Sequence, residues 1–202
     1  TTFGKKQLEA ICDMMLRENS RRGDGEKKLY VMYDQMYWHL TYGNIEHYDP
    51  VNLRPAMRDY TIYIDAISKV FASTGVRVGW SMGPPTIITK MKAILTHIGA
   101  WAPMAEQKAT AKFLPQRDAI RAYLTHFKKE IEERLREIYN GFMRLKQQGL
   151  GVDAIAPEAA IYLTIKIDLA GKTTPDGKLL SNQSDVTAYL LNEASLAVVP
   201  FY

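Results

Sequence analysis

Lys69 and Arg77 lie eight residues apart, and Gly75 and Gly79 flank the arginine on either side. The apolar run before Lys69 predicts a strand, and the glycines permit a tight turn that brings the amine and the guanidinium together. A lysine at a strand end can form a Schiff base with a carbonyl compound. An arginine can hold a phosphate through two parallel hydrogen bonds. A phosphate ester that carries a carbonyl group would satisfy both side chains, and pyridoxal phosphate is a molecule of that kind.

Asp34 and Lys69 each follow a run of residues that is typical of a buried strand. The first run covers residues 28–33 and the second covers residues 60–65. Ligands of open α/β sheets bind at the carboxyl ends of the strands. The two strand ends therefore predict one crevice that receives a carboxylate and an amine.

The segment around Lys69 has the pattern S-K-x-F-x-x-T-G-x-R-x-G-W. This pattern resembles the cofactor-lysine signature of class I/II aminotransferases, the fold-type I enzymes that depend on pyridoxal 5'-phosphate (PLP). The segment Asp34-Gln35-Met36-Tyr37 resembles the D-E-x-Y segment of the same family, with Gln35 in place of the commoner glutamate. The resemblance implies an aminotransferase of the aspartate or aromatic type. It implies Lys69 as the catalytic residue, no metal ion, and five cofactor-binding residues: Asp34, Tyr37, Ser68, Lys69 and Arg77.

The resemblance also implies a role for each residue. Asp34 would accept a hydrogen bond from the pyridine nitrogen, because a carboxylate there favours the protonated ring, which is the stronger electron sink. Tyr37 would bind the ring oxygen and Arg77 the phosphate. The serine that often binds phosphate in the family is replaced by Ala66, so Ser68 is the substitute donor. Lys69 would hold PLP as a Schiff base and then move the substrate Cα proton as general base and acid.

Each of these residues also has an ordinary structural interpretation. Residues 60–83 could be a plain strand–turn–strand with a solvated lysine and arginine, Asp34 a helix N-cap, and Tyr37 a half-buried aromatic residue. Two alternative functions stay open on the same scaffold. One is another fold-type I PLP enzyme, namely a C–S lyase, a decarboxylase or a cyclopropane-carboxylate synthase. The other is an aminotransferase-like sensor domain of a transcription regulator.

The elements that position these residues follow from apolar periodicity. Apolar residues at helical spacing predict helices at residues 5–19, 86–98, 104–113 and 116–148, and Cys12 in the first of these is a packing residue. Residues 77–83, 160–169 and 195–201 are predicted strands. A helix over residues 184–194 is predicted to begin at Ser184 as its N-cap.

These elements predict an α/β fold in three parts. Residues 1–114 form the C-terminal half of a large PLP-binding domain, with a mostly parallel sheet and flanking helices. Residues 115–148 form a connecting helix, and residues 149–202 form a truncated α+β small domain. The loop at residues 99–103 either reaches across a dimer interface towards the neighbouring cofactor, as the resemblance implies, or simply connects two helices.

The resemblance places further family residues outside the 202 residues of this chain. The N-P-T-G turn would precede Thr1, and the arginine that binds the substrate carboxylate would follow Tyr202. We therefore expect a fragment that lacks the N-terminal half and the C-terminal end, and we expect it to be inactive by itself. The implied partners are amino acid and 2-oxo acid substrates and a second copy of the chain in a homodimer.

The composition is that of an ordinary globular protein, with 47% hydrophobic and 24% charged residues and a net charge of +4. The basic residues are scattered among acidic ones, which does not favour nucleic-acid binding. The single cysteine excludes an internal disulfide and fits a reducing compartment, so we expect a cytoplasmic protein. No apolar run approaches the roughly 20 residues of a membrane span.

Overall fold

The computed structural model describes residues 2–201, which form helices and short strands. The strands are β1 (Val31–Asp34), β2 (Thr61–Ala66), β3 (Gly79–Met82), β4 (Val152–Ala154) and β5 (Ile165–Ile167). The helices are α1 (Lys5–Arg21), α2 (Pro50–Leu53), α3 (Ile67–Val70), α4 (Pro85–Ile98), α5 (Met104–Phe113), α6 (Arg117–Gln147) and α7 (Gln183–Ala194). The four helices predicted in the first 148 residues agree with α1, α4, α5 and α6 to within two residues at each end.

Three strands form one sheet in the order β1-β2-β3. β1 and β2 run parallel, with Val31 opposite Thr61 and Asp34 opposite Ile64. β3 returns antiparallel to β2, with Ala66 opposite Gly79. Parallel pairing places the carboxyl ends of β1 and β2 at the same edge of the sheet, which is where the candidate residues follow.

Helix α1 packs its apolar side against the 3-10 turn Pro55–Asp59 that precedes β2. Leu8, Cys12 and Met15 are buried and form one core cluster with Met57. Cys12 is only 1% exposed, which confirms it as a packing residue. The Arg54 guanidinium, one residue before the turn, forms ion pairs of 3.2 and 2.6 Å with two acidic side chains of α1.

The chain divides into two compact units. The first contains the residues up to Arg134 together with Pro157–Tyr162, and the second contains Leu135–Ala156 together with the residues from Leu163 onward. The division falls inside α6, so the predicted domain boundaries near residues 114 and 148 stay a prediction. In the second unit, β4 and β5 form an antiparallel pair. Within residues 2–201, no helix combines the length and the apolar character needed to span a membrane.

Three sequence predictions for the last 45 residues need correction. The strand predicted at residues 160–169 is confined to Ile165–Ile167, because its partner β4 pairs with only these three residues, and a left-handed φ of 66° at Ala160 interrupts the extended run at its start. The strand predicted at residues 195–201 is wrong. Val199 and Phe201 are 89% and 69% exposed, and no described strand pairs with the segment. The N-cap of α7 is Asn182 rather than Ser184, because the Asn182 side chain accepts a hydrogen bond from the Asp185 backbone N–H.

Gly83, directly after β3, provides a test of the packing between β2 and β3. A Cβ at this position would lie 2.9 Å from the Thr61 carbonyl oxygen and 3.3 Å from Ile62 Cα. Both are backbone atoms of β2, so we expect Gly83→Ala to lower the free energy of unfolding by about 1–3 kcal/mol. Gly75→Ala is the matched control, because a Cβ there meets nothing within 4 Å. Equal urea-unfolding free energies for the two variants would contradict this account.

Candidate functional site

Asp34 is the last residue of β1 and its side chain is exposed. The Gln35 backbone N–H donates to the Ile64 carbonyl at 3.0 Å, which extends the parallel pairing one residue past the strand. The Asp34 Oδ1 accepts a hydrogen bond of 3.1 Å from the Met36 backbone N–H. This is a side-chain turn after a strand and not a helix N-cap, since residues 36–39 form turns. The carboxylate keeps its remaining acceptor positions for a ligand at the sheet edge.

Lys69 lies in a loop that joins β2 to β3. The short helix α3 follows β2 directly, and Lys69 is its third residue. The loop closes where the Ile67 N–H donates to the Val78 carbonyl at 3.4 Å, next to the Ala66–Gly79 pair of the sheet. The Lys69 side chain is half-buried and makes no ion pair or hydrogen bond with residues 2–201. Its amine is therefore available to a ligand.

Arg77 lies in the same loop, after the 3-10 turn Thr74–Val76. Its φ of 61° is left-handed, a conformation that costs a non-glycine residue roughly 1–2 kcal/mol. The Arg77 Nη1 donates to the Thr74 carbonyl at 2.9 Å, and the exposed guanidinium keeps other N–H groups for a ligand. Ser68, next to Lys69, is half-buried, and its backbone carbonyl accepts a hydrogen bond of 3.0 Å from Ser73.

An aromatic cluster holds this loop in place. The Phe71 ring meets the Phe113 ring of α5 edge-on, with ring centroids 5.0 Å apart. It also contacts the Tyr123 ring of α6 at 6.1 Å, and Tyr123 stacks on Phe127 at 5.2 Å. The predicted signature contains Phe71, but the sequence alone does not indicate which rings receive it.

Tyr37 is half-buried, and its hydroxyl is 3.1 Å from the hydroxyl of Tyr162. The two rings meet edge-on with centroids 5.8 Å apart. Burial raises the pKa of the Tyr37 hydroxyl well above its usual range, and the hydrogen bond to Tyr162 raises it further. Sequence reasoning missed Tyr162, because it lies 125 residues away from Tyr37 and in no recognised motif.

The Trp38 ring, next to Tyr37 in the sequence, contacts two histidine rings. The Trp38 ring centroid is 3.5 Å from that of His39 and 5.9 Å from that of His47. Burial lowers the pKa of both imidazoles, and the charge of Lys128 lowers that of His39 further, whereas Asp49 opposes the effect at His47. Asp65 in β2 is 6% exposed, and burial raises the pKa of its carboxyl. Neither histidine was predicted to be a site residue.

A cleft of about 880 Å³ lies beside β2 and the first half of α6. Its walls combine aromatic residues with basic ones from α6, among them Trp38, Phe71, Trp80, Arg121 and Lys128. Asp34, Tyr37, Lys69 and Arg77 are not among its lining residues. We therefore locate the candidate site from the strand ends and their loop, not from this cleft.

Comparisons with known proteins place the chain among aminotransferases. The family model for aminotransferase class I and II matches residues 25–202. A probable aspartate/prephenate aminotransferase of Rhizobium leguminosarum bv. phaseoli is 29% identical over 201 residues, which cover 96% of this chain and 45% of that protein. An aspartate aminotransferase of Rhizobium meliloti is 28% identical over 173 residues, which cover 85% of this chain and 40% of that protein.

Solved structures show the same fold. The aspartate aminotransferase from Rhizobium meliloti superposes with a TM-score of 0.81 at 25% identity, over 98% of this chain and 46% of that one. The aromatic aminotransferase from Pyrococcus horikoshii gives a TM-score of 0.79 at 27% identity, over 98% of this chain and 46% of that one. The predicted fold is confirmed. The chain spans about half the length of the relatives that it matches.

The two lowered histidine pKa values predict a pH dependence of stability. Between the folded pKa and the ordinary value near 6.5, the unfolded chain binds protons that the folded chain does not. The free energy of unfolding should therefore fall as the pH drops below about 6.5, by at most about 1.4 kcal/mol per histidine per pH unit.

Urea unfolding between pH 7.5 and pH 5 would measure this effect in the parent, in His39→Gln and His47→Gln, and in the double variant. We expect each single variant to remove part of the slope and the double variant to remove more. A double variant whose pH dependence equals that of the parent would contradict the assignment.

Proposed function

Since the chain belongs to the aminotransferase class I and II family, we propose that the protein moves an amino group between an L-amino acid and a 2-oxo acid, using PLP bound at Lys69. The observation that supports this most directly is the parallel pairing of β1 and β2. It places Asp34 and the loop of Lys69 and Arg77 at one edge of the sheet. We propose substrates of the aspartate or aromatic type, since the similar proteins carry those names.

The residues at this edge fit the chemistry of PLP. The molecule needs an amine for its carbonyl, cationic donors for its phosphate, and an anionic acceptor for its protonated ring nitrogen. Lys69 supplies a half-buried amine without a partner among residues 2–201, and Arg77 supplies an exposed guanidinium. Asp34 supplies an exposed carboxylate that accepts only one backbone hydrogen bond from the described residues.

When bound, PLP supplies a carbonyl that condenses with amines and a ring that accepts the electrons released when the substrate Cα–H bond breaks. In this proposal Asp34 holds a proton on the ring nitrogen by its negative charge. Tyr37 donates a hydrogen bond to the ring oxygen. Once the substrate amine has taken the place of the Lys69 amine on the cofactor carbonyl, the freed Lys69 Nζ would take the proton from the substrate Cα as a general base.

Arg77 and Ser68 are proposed to hold the phosphate. The hydrogen bond from Arg77 Nη1 to the Thr74 carbonyl helps to orient the guanidinium within the loop that carries Lys69. Planar guanidinium groups bind phosphate through two parallel hydrogen bonds. Ser68 stands beside Lys69 and provides a hydroxyl where the family serine is replaced by Ala66.

We also propose a homodimer in which the loop at residues 99–103 faces the second copy. This is supported by the exposure of apolar side chains around the loop. Ile94 and Ile98 at the end of α4 are 60% and 66% exposed, and Trp101 within the loop is 50% exposed. Helix α4 itself buries no residue. Exposed apolar surfaces of this kind are typical of protein interfaces.

Labelling with borohydride tests the assignment of Lys69. Protein incubated with one equivalent of PLP and then reduced should carry the label on Lys69, as shown by peptide mapping. Lys69→Ala should lose the label, and Lys90→Ala, which removes an exposed lysine from α4, should keep it. A label that maps to another lysine in the parent protein would overturn the proposal.

Binding measurements test Arg77. We expect Arg77→Ala to weaken PLP binding by about 10- to 100-fold, because a hydrogen bond to a charged group contributes roughly 1.5–3 kcal/mol. Binding of pyridoxal, which lacks the phosphate, should be unchanged by the same substitution. Arg58→Ala in the turn Pro55–Asp59 is the matched control and should bind both ligands as the parent does. An equal loss for PLP and pyridoxal would contradict the phosphate role.

A further inference from the structure

Residues Pro157–Tyr162, here called the strap, return to the first unit from a distant part of the sequence. The Ala160 N–H donates to the Leu40 carbonyl at 2.8 Å, and the Tyr42 N–H donates to the Glu158 carbonyl at 2.9 Å. The Tyr42 hydroxyl also donates to the Ala160 carbonyl. The strap is therefore bound along the segment that directly follows Tyr37.

The backbone at Ala160 makes a turn that sets the direction of the last two residues of the strap. Its φ of 66° is left-handed although it is not a glycine, and it is 8% exposed. A strained conformation persists only where the surroundings determine it, and here the hydrogen bonds on both sides of Ala160 do so. The chain after this turn carries Tyr162, whose hydroxyl meets that of Tyr37 at 3.1 Å. The hydrogen-bonded strap therefore positions Tyr162 beside Tyr37.

The two hydroxyls have one proton each to share. In the structure Tyr37 donates to Tyr162. Once Tyr37 donates to another acceptor it has no second proton, but its oxygen can still accept one. Tyr162 can then rotate its own proton towards Tyr37. A hydroxyl that accepts a hydrogen bond is a better donor, because successive hydrogen bonds polarise one another.

We propose that Tyr162 is a positioning residue, whose hydroxyl holds that of Tyr37 and donates to it when Tyr37 donates to the cofactor ring oxygen. This inference rests on the proposed function for the identity of the acceptor. The hydroxyl pair itself rests on the strap and its contacts. Tyr162 is 62% exposed, so its replacement by phenylalanine removes one hydroxyl without opening the core.

The first experiment uses the protein without cofactor. Tyr37 is replaced by 3,5-difluorotyrosine, an analogue with a more acidic phenol, and its titration is followed by fluorine NMR. In the neutral pair the bond that Tyr37 donates to Tyr162 favours the protonated phenol. The bond that Tyr162 donates to the ionised phenol is stronger, because its acceptor is charged, so Tyr162→Phe should lower the acid dissociation constant of residue 37 about 2- to 10-fold. Tyr139→Phe removes the same atom from α6 and should leave the titration unchanged.

A titration unchanged by Tyr162→Phe would overturn the pairing. A rise in the dissociation constant would show that Tyr162 acts only as an acceptor, which also overturns the proposal.

The second experiment adds PLP and follows visible absorbance against pH. The pH at the midpoint of the absorbance change should be higher in Tyr162→Phe than in the parent protein, but the increase should be smaller than in Tyr37→Phe. Absence of the Lys69 label overturns the proposed function. A label on Lys69 with an unchanged midpoint in Tyr162→Phe overturns the role of Tyr162 alone.

Discussion

The parallel hydrogen-bond ladder between β1 and β2 is the constraint on which the rest of the site depends. It sets Asp34 opposite Ile64 and leaves β2 to run on to Ala66, from which the loop of Lys69 begins. Side chains alternate between the two faces of a sheet, so a slip of one residue would turn Asp34 to the opposite face. The buried Thr61 limits such a slip, because its hydroxyl is bound to the Met57 carbonyl at 2.8 Å.

The loop after β2 shows how a strained backbone is maintained near a candidate site. Ala72 and Arg77 both have a left-handed φ, which non-glycine residues adopt only when their surroundings require it. Here the backbone hydrogen bond from Ile67 to Val78 and the packing of Phe71 on α5 and α6 hold the loop in this conformation. Gly79 completes the loop, because a Cβ there would lie 3.0 Å from the Asp65 carbonyl oxygen. The glycine after the arginine is thus explained by close backbone approach and not by flexibility.

The strap adds a contribution from a second part of the chain. Its backbone bonds lie along residues 40–42, and its last residue places a hydroxyl beside Tyr37. The Tyr37 side chain, in the turn after β1, therefore contacts a segment more than a hundred residues later in the sequence. Such an arrangement couples the geometry of Tyr37 to the folding of the strap, which local residues alone would not do.

The sequence by itself determined the local features of this protein. Lys69 and Arg77 could be placed in one loop because they lie only eight residues apart between two predicted strands, and the helices followed from apolar spacing that repeats within a few turns. The tertiary structure alone decided which rings hold Phe71, that Asn182 and not Ser184 caps α7, and that residues 195–201 form no strand. It also decided the pairing of Tyr37 with Tyr162. A strand forms only where a partner strand pairs with it, and a hydroxyl pair forms only where two distant segments meet. The local sequence determines neither of these long-range contacts.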